Sequence, residues 1–339
     1  MSREMPAPPF GGIPQIATGF WGAQILYAFT KLGIPDLLAS GVRTSEELAI
    51  RTQTQPRALY RLLRALTHFG MVSEDESLVG TFSLTSTGEL LLRDNPNGVR
   101  TYVLMSVEEP YKAWGALPDV LRTGKSGFEV VYGKPMFDYF ADHPESGHTF
   151  HHAIAQVRTR ELEAVLAAYD MSDVRYLVDI GGGAGQLLAR LLPHYPQMRG
   201  VLFETKEGVA AAKAAHPLAP DSRGEYVVGN FFESVPAGAD IYVLQHVVQD
   251  WLDEQAIALL RNVRAAMKPE SRVLIIEAMI PTGNQPAFPK VMDVQLMVVS
   301  GGQERTEAEY RGLLKAAGLK LERIIPTAVP SCIIEAVPA

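Results

Sequence analysis

The chain has little of several things that would narrow its class. Cys332 is the single cysteine of 339 residues, which excludes an internal disulfide and fits a reducing compartment. Excess positive charge is also missing: 31 Lys and Arg stand against 38 Asp and Glu, for a formal net charge of -7. Holding a phosphate backbone needs concentrated cations, so a general nucleic-acid binder is not the expectation. No apolar run reaches the length that spans a bilayer, and the stretch Ile25 to Phe29 is too short and interrupted for a signal peptide. The expectation is a soluble cytoplasmic protein without a membrane partner.

What is there is apolar material, 47% of the chain, enough for more than one domain. Order is not expected in the N-terminal stretch MPAPPFGGIP, whose prolines and glycines do not continue a helix. Boundaries are placed at 1–100, 101–171 and 172–339. In the first segment Phe20 to Thr30 is apolar on nearly every turn, more than a solvated helix needs, which points to a dimer contact. Thr44-Ser45-Glu46-Glu47 reads as an N-cap with acidic first-turn residues, and Gln55-Pro56 opens a helix with Leu59, Leu62, Leu63 and Leu66 in one stripe. The segment MVSEDESLVGTFSLT then reads as a hairpin, completing a winged-helix order. Arg57, Arg61 and Arg64 have the spacing of a DNA-reading helix and equally of a solvated face, and the acidic residues nearby favour the second.

The middle segment is helical and rich in aromatic and Met side chains. Trp114, Met136, Phe137 and Phe140 are candidates for lining a pocket for a flat substrate, with Phe150, Ile154 and the later Met297, and plain core packing is the alternative. His143, His148, His151 and His152 cluster without a cysteine and match no strong metal pattern, so no metal is expected.

From Arg175 the period changes to short apolar runs at 176–180, 201–204, 226–229, 241–244, 273–278, 321–327 and 332–337. Helices near Gln186–Leu192, Val209–Ala215, Asp253–Met267 and Glu307–Ala317 separate them. That alternation predicts an α/β domain with a mainly parallel sheet covered on both faces, closed by an antiparallel pair. The first strand runs into Asp179-Ile180-Gly181-Gly182-Gly183-Ala184-Gly185. Its GxGxG spacing, at Gly181, Gly183 and Gly185, departs from the dinucleotide fingerprint, and the P-loop lysine is absent. Glu204 closes the second strand, where a carboxylate can accept both hydrogen bonds of a ribose diol. After the third, Asn230 and Phe231 offer an amide and an aromatic face to an adenine.

These motifs, with LQHVVQDW (244–251), VLIIEAMIP (273–281) and GGQERTEAEY (301–310), resemble the small-molecule O-methyltransferases of the plant caffeate and bacterial polyketide-tailoring type. The resemblance runs over nearly the whole chain. It implies a Rossmann-like class I methyltransferase domain behind a winged-helix-like N-terminal dimerisation domain, S-adenosylmethionine as methyl donor, and S-adenosylhomocysteine as product. It also implies a homodimer and a phenolic or enolic acceptor on an aromatic or polyketide skeleton.

The departures bear on catalysis. Where the family carries a lysine this chain has Gln245, assigned with the glycine loop to the donor. Where the family carries its general-base histidine it has Gln249, whose amide takes no proton near neutral pH. Asp250, Glu277 and Glu304 match the acids that orient base or acceptor. His246 is read as a histidine packed near the domain junction and bordering the acceptor with Asp250, because three positions do not bring it to the place of Gln249. Two readings stay open. One is methyl transfer, to oxygen or an enol-like carbon, driven by proximity with an acceptor that ionises readily. The other keeps the donor as a fixed positive charge for a cyclisation, rearrangement, decarboxylation or hydroxylation.

Overall fold

The computed structural model describes residues 12–215, 218 and 223–339. Most of the expected loose N-terminal stretch, residues 1–11, lies outside them. The chain divides into two compact units: residues up to Lys112 with His143–Gln156, and Ala113–Asp142 with Val157–Ala339.

In the first unit the opening helix is longer than expected, Ile13–Lys31, because Pro14 sits in its first turn, where no N–H is needed. Ser45–Thr52 follows the expected cap, with Thr44 Oγ1 accepting from the Glu47 N–H at 3.2 Å. Pro56–His68 buries Leu59, Leu63 and Leu66, and β1 (Val72–Glu74) pairs antiparallel with β2 (Phe82–Leu84). Phe29, Ile34, Leu48, Val72 and Phe82 close this core. Ile13, Ile16, Phe20 and Trp21 stay exposed, an apolar face that nothing in this unit covers. Arg57, Arg61 and Arg64 lie on the exposed side of their helix, Arg64 over the ring of Tyr60.

The second unit carries an eight-stranded sheet. Its strands are β3 (Tyr176–Ile180), β4 (Arg199–Glu204), β5 (Gly224–Val228), β6 (Ile241–Gln245), β7 (Arg272–Ile280), β8 (Arg305–Thr306), β9 (Leu319–Pro326) and β10 (Ser331–Pro338). The order is β5-β4-β3-β6-β7-β10-β9, with β8 added beside β7. Neighbours from β5 to β7 are parallel, while β10 runs antiparallel to both β7 and β9. This is the mainly parallel α/β sheet with an antiparallel closing pair that the alternating runs predict, and the Rossmann-like domain that the resemblance implies.

Alternate residues explain why both faces are covered. Tyr242, Leu244, Val273 and Ile275 enter one core; Ile241, Val243, Leu274 and Ile276 enter the other. The strand order reverses between β3 and β6, which opens a crevice at the carboxyl ends of these strands. Among the described residues no helix is long and apolar enough to cross a membrane. There too, no group of His, Cys, Asp and Glu is arranged to hold a metal ion, and His152 instead bonds Thr101 through Nδ1.

Candidate active site

The turn after β3 is built by its glycines. Gly181, Gly183 and Gly185 take left-handed φ of 65°, 56° and 76°, where a side chain would be strained. Gly185 then stands as the left-handed N-cap of the helix Gln186–His194, which starts directly after the turn. Gly182, absent from the expected set, is the tightest of the four: a Cβ there would overlap the Asp179 carboxylate.

Asp179 is fully buried, and neither carboxylate oxygen has a hydrogen-bond partner. Burial pushes its pKa up to about 7, against the pull of the nearby Arg158 charge. Glu204, at the end of β4, faces the N–H groups of Thr205 and Gly183, and burial raises its pKa despite them. Arg158 comes from the helix Pro144–Ala168. Its guanidinium lies 3.5 Å from where a Cβ of Gly183 would stand, and its Nε is buried without a partner. Sequence reading missed Arg158, because nothing in its helical context sets it apart from the arginines around it.

Asn230 is exposed and folds back on its own turn, its Oδ1 accepting from the Phe232 N–H at 3.0 Å and its amide donating to Glu233 at 3.2 Å. Phe231 packs edge-on against Phe232 and Trp251, with one ring edge 3.9 Å from the Cβ position of Gly181. The aromatic thus borders the glycine turn, and the amide is occupied locally.

At the tip of β6 the arrangement differs from the expectation. Gln245 is buried and donates to Glu161 Oε2 at 2.5 Å. His246 is not simply packed: its Nε2 sits 2.8 Å from Glu161 Oε2 and its Nδ1 2.9 Å from Gln249 Oε1. Three positions do bring the two side chains together. The reason is the backbone: His246 has φ of 54°, a left-handed residue that turns the chain sharply into the short 3-10 segment Val248–Asp250. Glu161 lies 85 positions earlier, which no local pattern could reveal.

The acids expected to orient the acceptor have distinct roles. Glu277 is fully buried on β7, accepting from the Gln249 backbone N–H at 3.0 Å with one oxygen and from the Tyr310 hydroxyl with the other. It therefore fixes the turn that carries Gln249 and Asp250. Burial and the Glu277 charge push Asp250 up to about 7 and Glu304 up to about 8. Glu304 Oε2 is buried without a partner, while its N–H donates to Asp293 at 2.9 Å. Asp293 comes from the helix Pro289–Val299, which the sequence reading did not separate out. Arg305 does not pair with Asp250 or Glu304. It is buried and spends its donors on Asp253 at 2.9 Å and the Trp251 carbonyl at 2.8 Å.

Of the candidate lining residues, Met136 and Phe140 are buried, Phe140 against Phe128, and Phe137 is half exposed. Trp114 donates to Gln295, two positions before the half-buried Met297. Phe150 and Ile154 belong to the first unit.

A family model described as an O-methyltransferase domain matches residues 114–320, and one described as an O-methyltransferase dimerisation domain matches residues 15–94. The chain belongs to the O-methyltransferase family. It is 38% identical to the phenazine O-methyltransferase PhzM of Lysobacter antibioticus, over 96% of this chain and 95% of that protein. Among solved structures, that of LaPhzM superposes with a TM-score of 0.89 at 37% identity, covering 98% of this chain and all of the other (100%). The O-methyltransferase NcsB1 from neocarzinostatin biosynthesis, solved with S-adenosylmethionine and 2-hydroxy-5-methyl naphthoic acid, gives 0.81 at 30% identity, covering 94% and 96%. The expected S-adenosylmethionine-dependent O-methyltransferase, with its N-terminal dimerisation region and class I domain, is met at the level of the family.

Proposed function

We propose that this chain, as a cytoplasmic homodimer, uses S-adenosylmethionine to methylate a hydroxyl on a flat aromatic or polyketide-like metabolite. One observation carries the donor assignment. Beside the glycine turn, the buried Asp179 carboxylate and the Arg158 guanidinium each keep polar atoms with no hydrogen-bond partner. A ligand bearing both an ammonium and a carboxylate satisfies the two together, and Glu204 is left for a diol. When bound, S-adenosylmethionine supplies a methyl group on a sulfonium that is already electrophilic. The chain's part is then to fix the donor on the glycine turn, hold an acceptor oxygen in line, and keep water out. Asp250 and Glu304 border that place as acids with pKa values near neutrality, able to donate as well as accept. Gln249 contributes its amide nitrogen as a donor, since its oxygen is taken by His246. The exposed apolar face of Ile13–Lys31 supports the dimer, and the phenazine named for one similar protein and the naphthoic acid bound in the structure of another support a flat aromatic acceptor. We place the domain limits at 1–100, 101–171 and 172–339.

Two measurements test this. Incubation with S-adenosylmethionine and a panel of hydroxyphenazines, hydroxynaphthoates and hydroxyquinones is expected to give S-adenosylhomocysteine in step with a methyl ether. Turnover without it would overturn the assignment. Glu204→Ala is expected to weaken S-adenosylhomocysteine binding by about 1–3 kcal/mol in titration calorimetry, the cost of losing one partner of a buried polar group. Unchanged affinity would remove Glu204 from the site.

A further inference from the structure

We infer that the carboxylate of Asp250 is the group that takes the acceptor's proton. This rests on the methyltransferase reading above, and it supplies the step that the amide of Gln249 does not perform.

Elimination among the described residues leads to it. His246 has both ring nitrogens engaged, Nε2 by Glu161 at 2.8 Å and Nδ1 by Gln249 at 2.9 Å. Glu161 is spent on His246 and Gln245. Glu277 has one oxygen on the Gln249 N–H and the other on the Tyr310 hydroxyl. Glu304 keeps Oε2 without a partner, but that atom is itself buried. Asp250 differs from all of these: it is half-buried, and its carboxylate has neither a hydrogen-bond nor an ion-pair partner.

The backbone that carries this open carboxylate is fixed by other groups. The Gln249 carbonyl accepts from the Gln303 N–H at 2.8 Å, Glu277 accepts from the Gln249 N–H at 3.0 Å, and the Asp250 N–H donates to the Val247 carbonyl at 3.3 Å. A Cβ at Gly302 would stand 2.9 Å from the Asp250 Cα, so the segment before β8 packs directly on this turn. The turn also meets the donor hollow. A Cβ at Gly181 would lie 2.9 Å from Val247 Cγ2, and the Arg158 charge acts on Asp250 as it does on Asp179 and Glu204. Asp250 thus stands on a rigid turn bordering the glycine turn, where a base can meet a hydroxyl held in line with the donor.

Its surroundings suit the task. Burial is the largest influence on this carboxyl and pushes it up to about 7, the Glu277 charge acts in the same sense, and Arg158 and His246 pull the other way. Glu304, before β8, adds a like charge, and Asp293 on the helix Pro289–Val299 acts on Glu304 in turn. A carboxylate of that basicity is better matched to a phenol or enol than an ordinary aspartate near 4. Glu277 therefore serves Asp250 twice, by holding the turn and by its charge.

In the step itself the acceptor O–H bond breaks and its proton passes to an Asp250 carboxylate oxygen. The acceptor oxygen's electron pair forms the bond to the methyl carbon, and the carbon–sulfur bond breaks with its pair left on sulfur. The products are the methyl ether, the carboxylic acid of Asp250 and S-adenosylhomocysteine. Loss of the proton to solvent restores the carboxylate.

The first test needs neither donor nor acceptor. In protein with isotope-labelled aspartate carboxyls, the resonance that disappears in Asp250→Asn is expected to titrate at least about two pH units above an ordinary aspartate. A midpoint near the ordinary value would overturn the proposal. The second test compares acceptors that the parent enzyme methylates, with the donor saturating so that its ammonium keeps Asp179 ionised. Asp250→Asn preserves the shape and a hydrogen-bonding tip. It is expected to lose about 100-fold or more in kcat/KM on hydroxyls that are neutral in the assay, and little on those already ionised. Its residual rate on the neutral ones is expected to follow the acceptor's own ionisation as pH rises, without the parent's limb near 7. Equal losses on both kinds would make Asp250 a positioning residue and overturn the base role. An Asp250 midpoint near 7 with no methylation of any acceptor would instead count against the methyltransferase reading itself.

Discussion

Gly182 and the carboxylate of Asp179 lie so close that only a hydrogen fits between them. A Cβ at Gly182 would overlap that carboxylate and come within 2.6 Å of Leu202 Cδ1. Asp179 and Leu202 are both fully buried, so neither has room to retreat.

Gly182→Ala is therefore expected to turn the Asp179 side chain away from the hollow. Overpacking at such a site costs about 1–3 kcal/mol, and the displaced acid no longer meets an ammonium. Calorimetry is expected to show S-adenosylhomocysteine binding weakened by more than tenfold, about 1.4 kcal/mol, with the melting temperature lowered. Native affinity in this variant would mean that Asp179 does not touch the ligand.

The contrast between Gly182 and its neighbours shows what the sequence could reveal. The GxGxG spacing pointed to Gly181, Gly183 and Gly185, whose backbone angles do require glycine. Gly182 has an ordinary φ and is a glycine for a packing reason that only the fold displays. The strands were legible for the same kind of reason: runs such as 176–180 and 241–244 are apolar on both faces because helices cover both sides, and β3 and β6 fall on them. The helix Pro289–Val299 was hidden because its apolar residues form no clean stripe, only Val298 and Val299 being buried. The Glu161–His246 pair was beyond reach for a different reason. It joins a helix to a strand tip 85 positions further along the chain, and a residue at left-handed φ breaks the rule that positions three apart on such a turn diverge.

Tyr310 tests how Glu277 holds the turn of Gln249 and Asp250. Its hydroxyl is buried on one carboxylate oxygen while the Gln249 N–H occupies the other. Tyr310→Phe leaves that first oxygen unsatisfied without changing the shape of the core. A loss of about 1–3 kcal/mol follows for a stranded buried acceptor, seen as a lower denaturant midpoint at unchanged slope. Because the turn carries Gln249 and Asp250, kcat is expected to fall while S-adenosylhomocysteine affinity stays as it was. A drop in affinity with kcat preserved would place Glu277 in the donor site instead.

The acids left without partners make the ligand-free protein sensitive to pH, and the sign can be worked out. Asp179 and Asp250 are pushed up to about 7 and Glu304 to about 8, each chiefly by burial, whereas an unfolded chain titrates them near 4. A carboxyl raised in the folded state stabilises fully below its unfolded pKa and loses that contribution as pH rises through its folded one. His246, raised by Glu161, acts in the same sense. Glu161, depressed to about 2, acts oppositely and only in acid, its contribution fading as pH falls from about 4.5. The melting temperature without ligand is therefore expected to peak near pH 5 and decline by several degrees, roughly 2–8 °C, toward pH 8.5, and Glu304→Gln, neutral throughout, is expected to flatten that decline. S-adenosylhomocysteine should reverse the slope, because its ammonium favours ionised Asp179, so affinity grows toward pH 8 by up to about tenfold per unit below pH 7. Thermal melts at pH 6 and 8, with and without this ligand, decide the matter: a larger ligand shift at pH 6 than at pH 8 would show that Asp179 binds as a neutral acid or not at all.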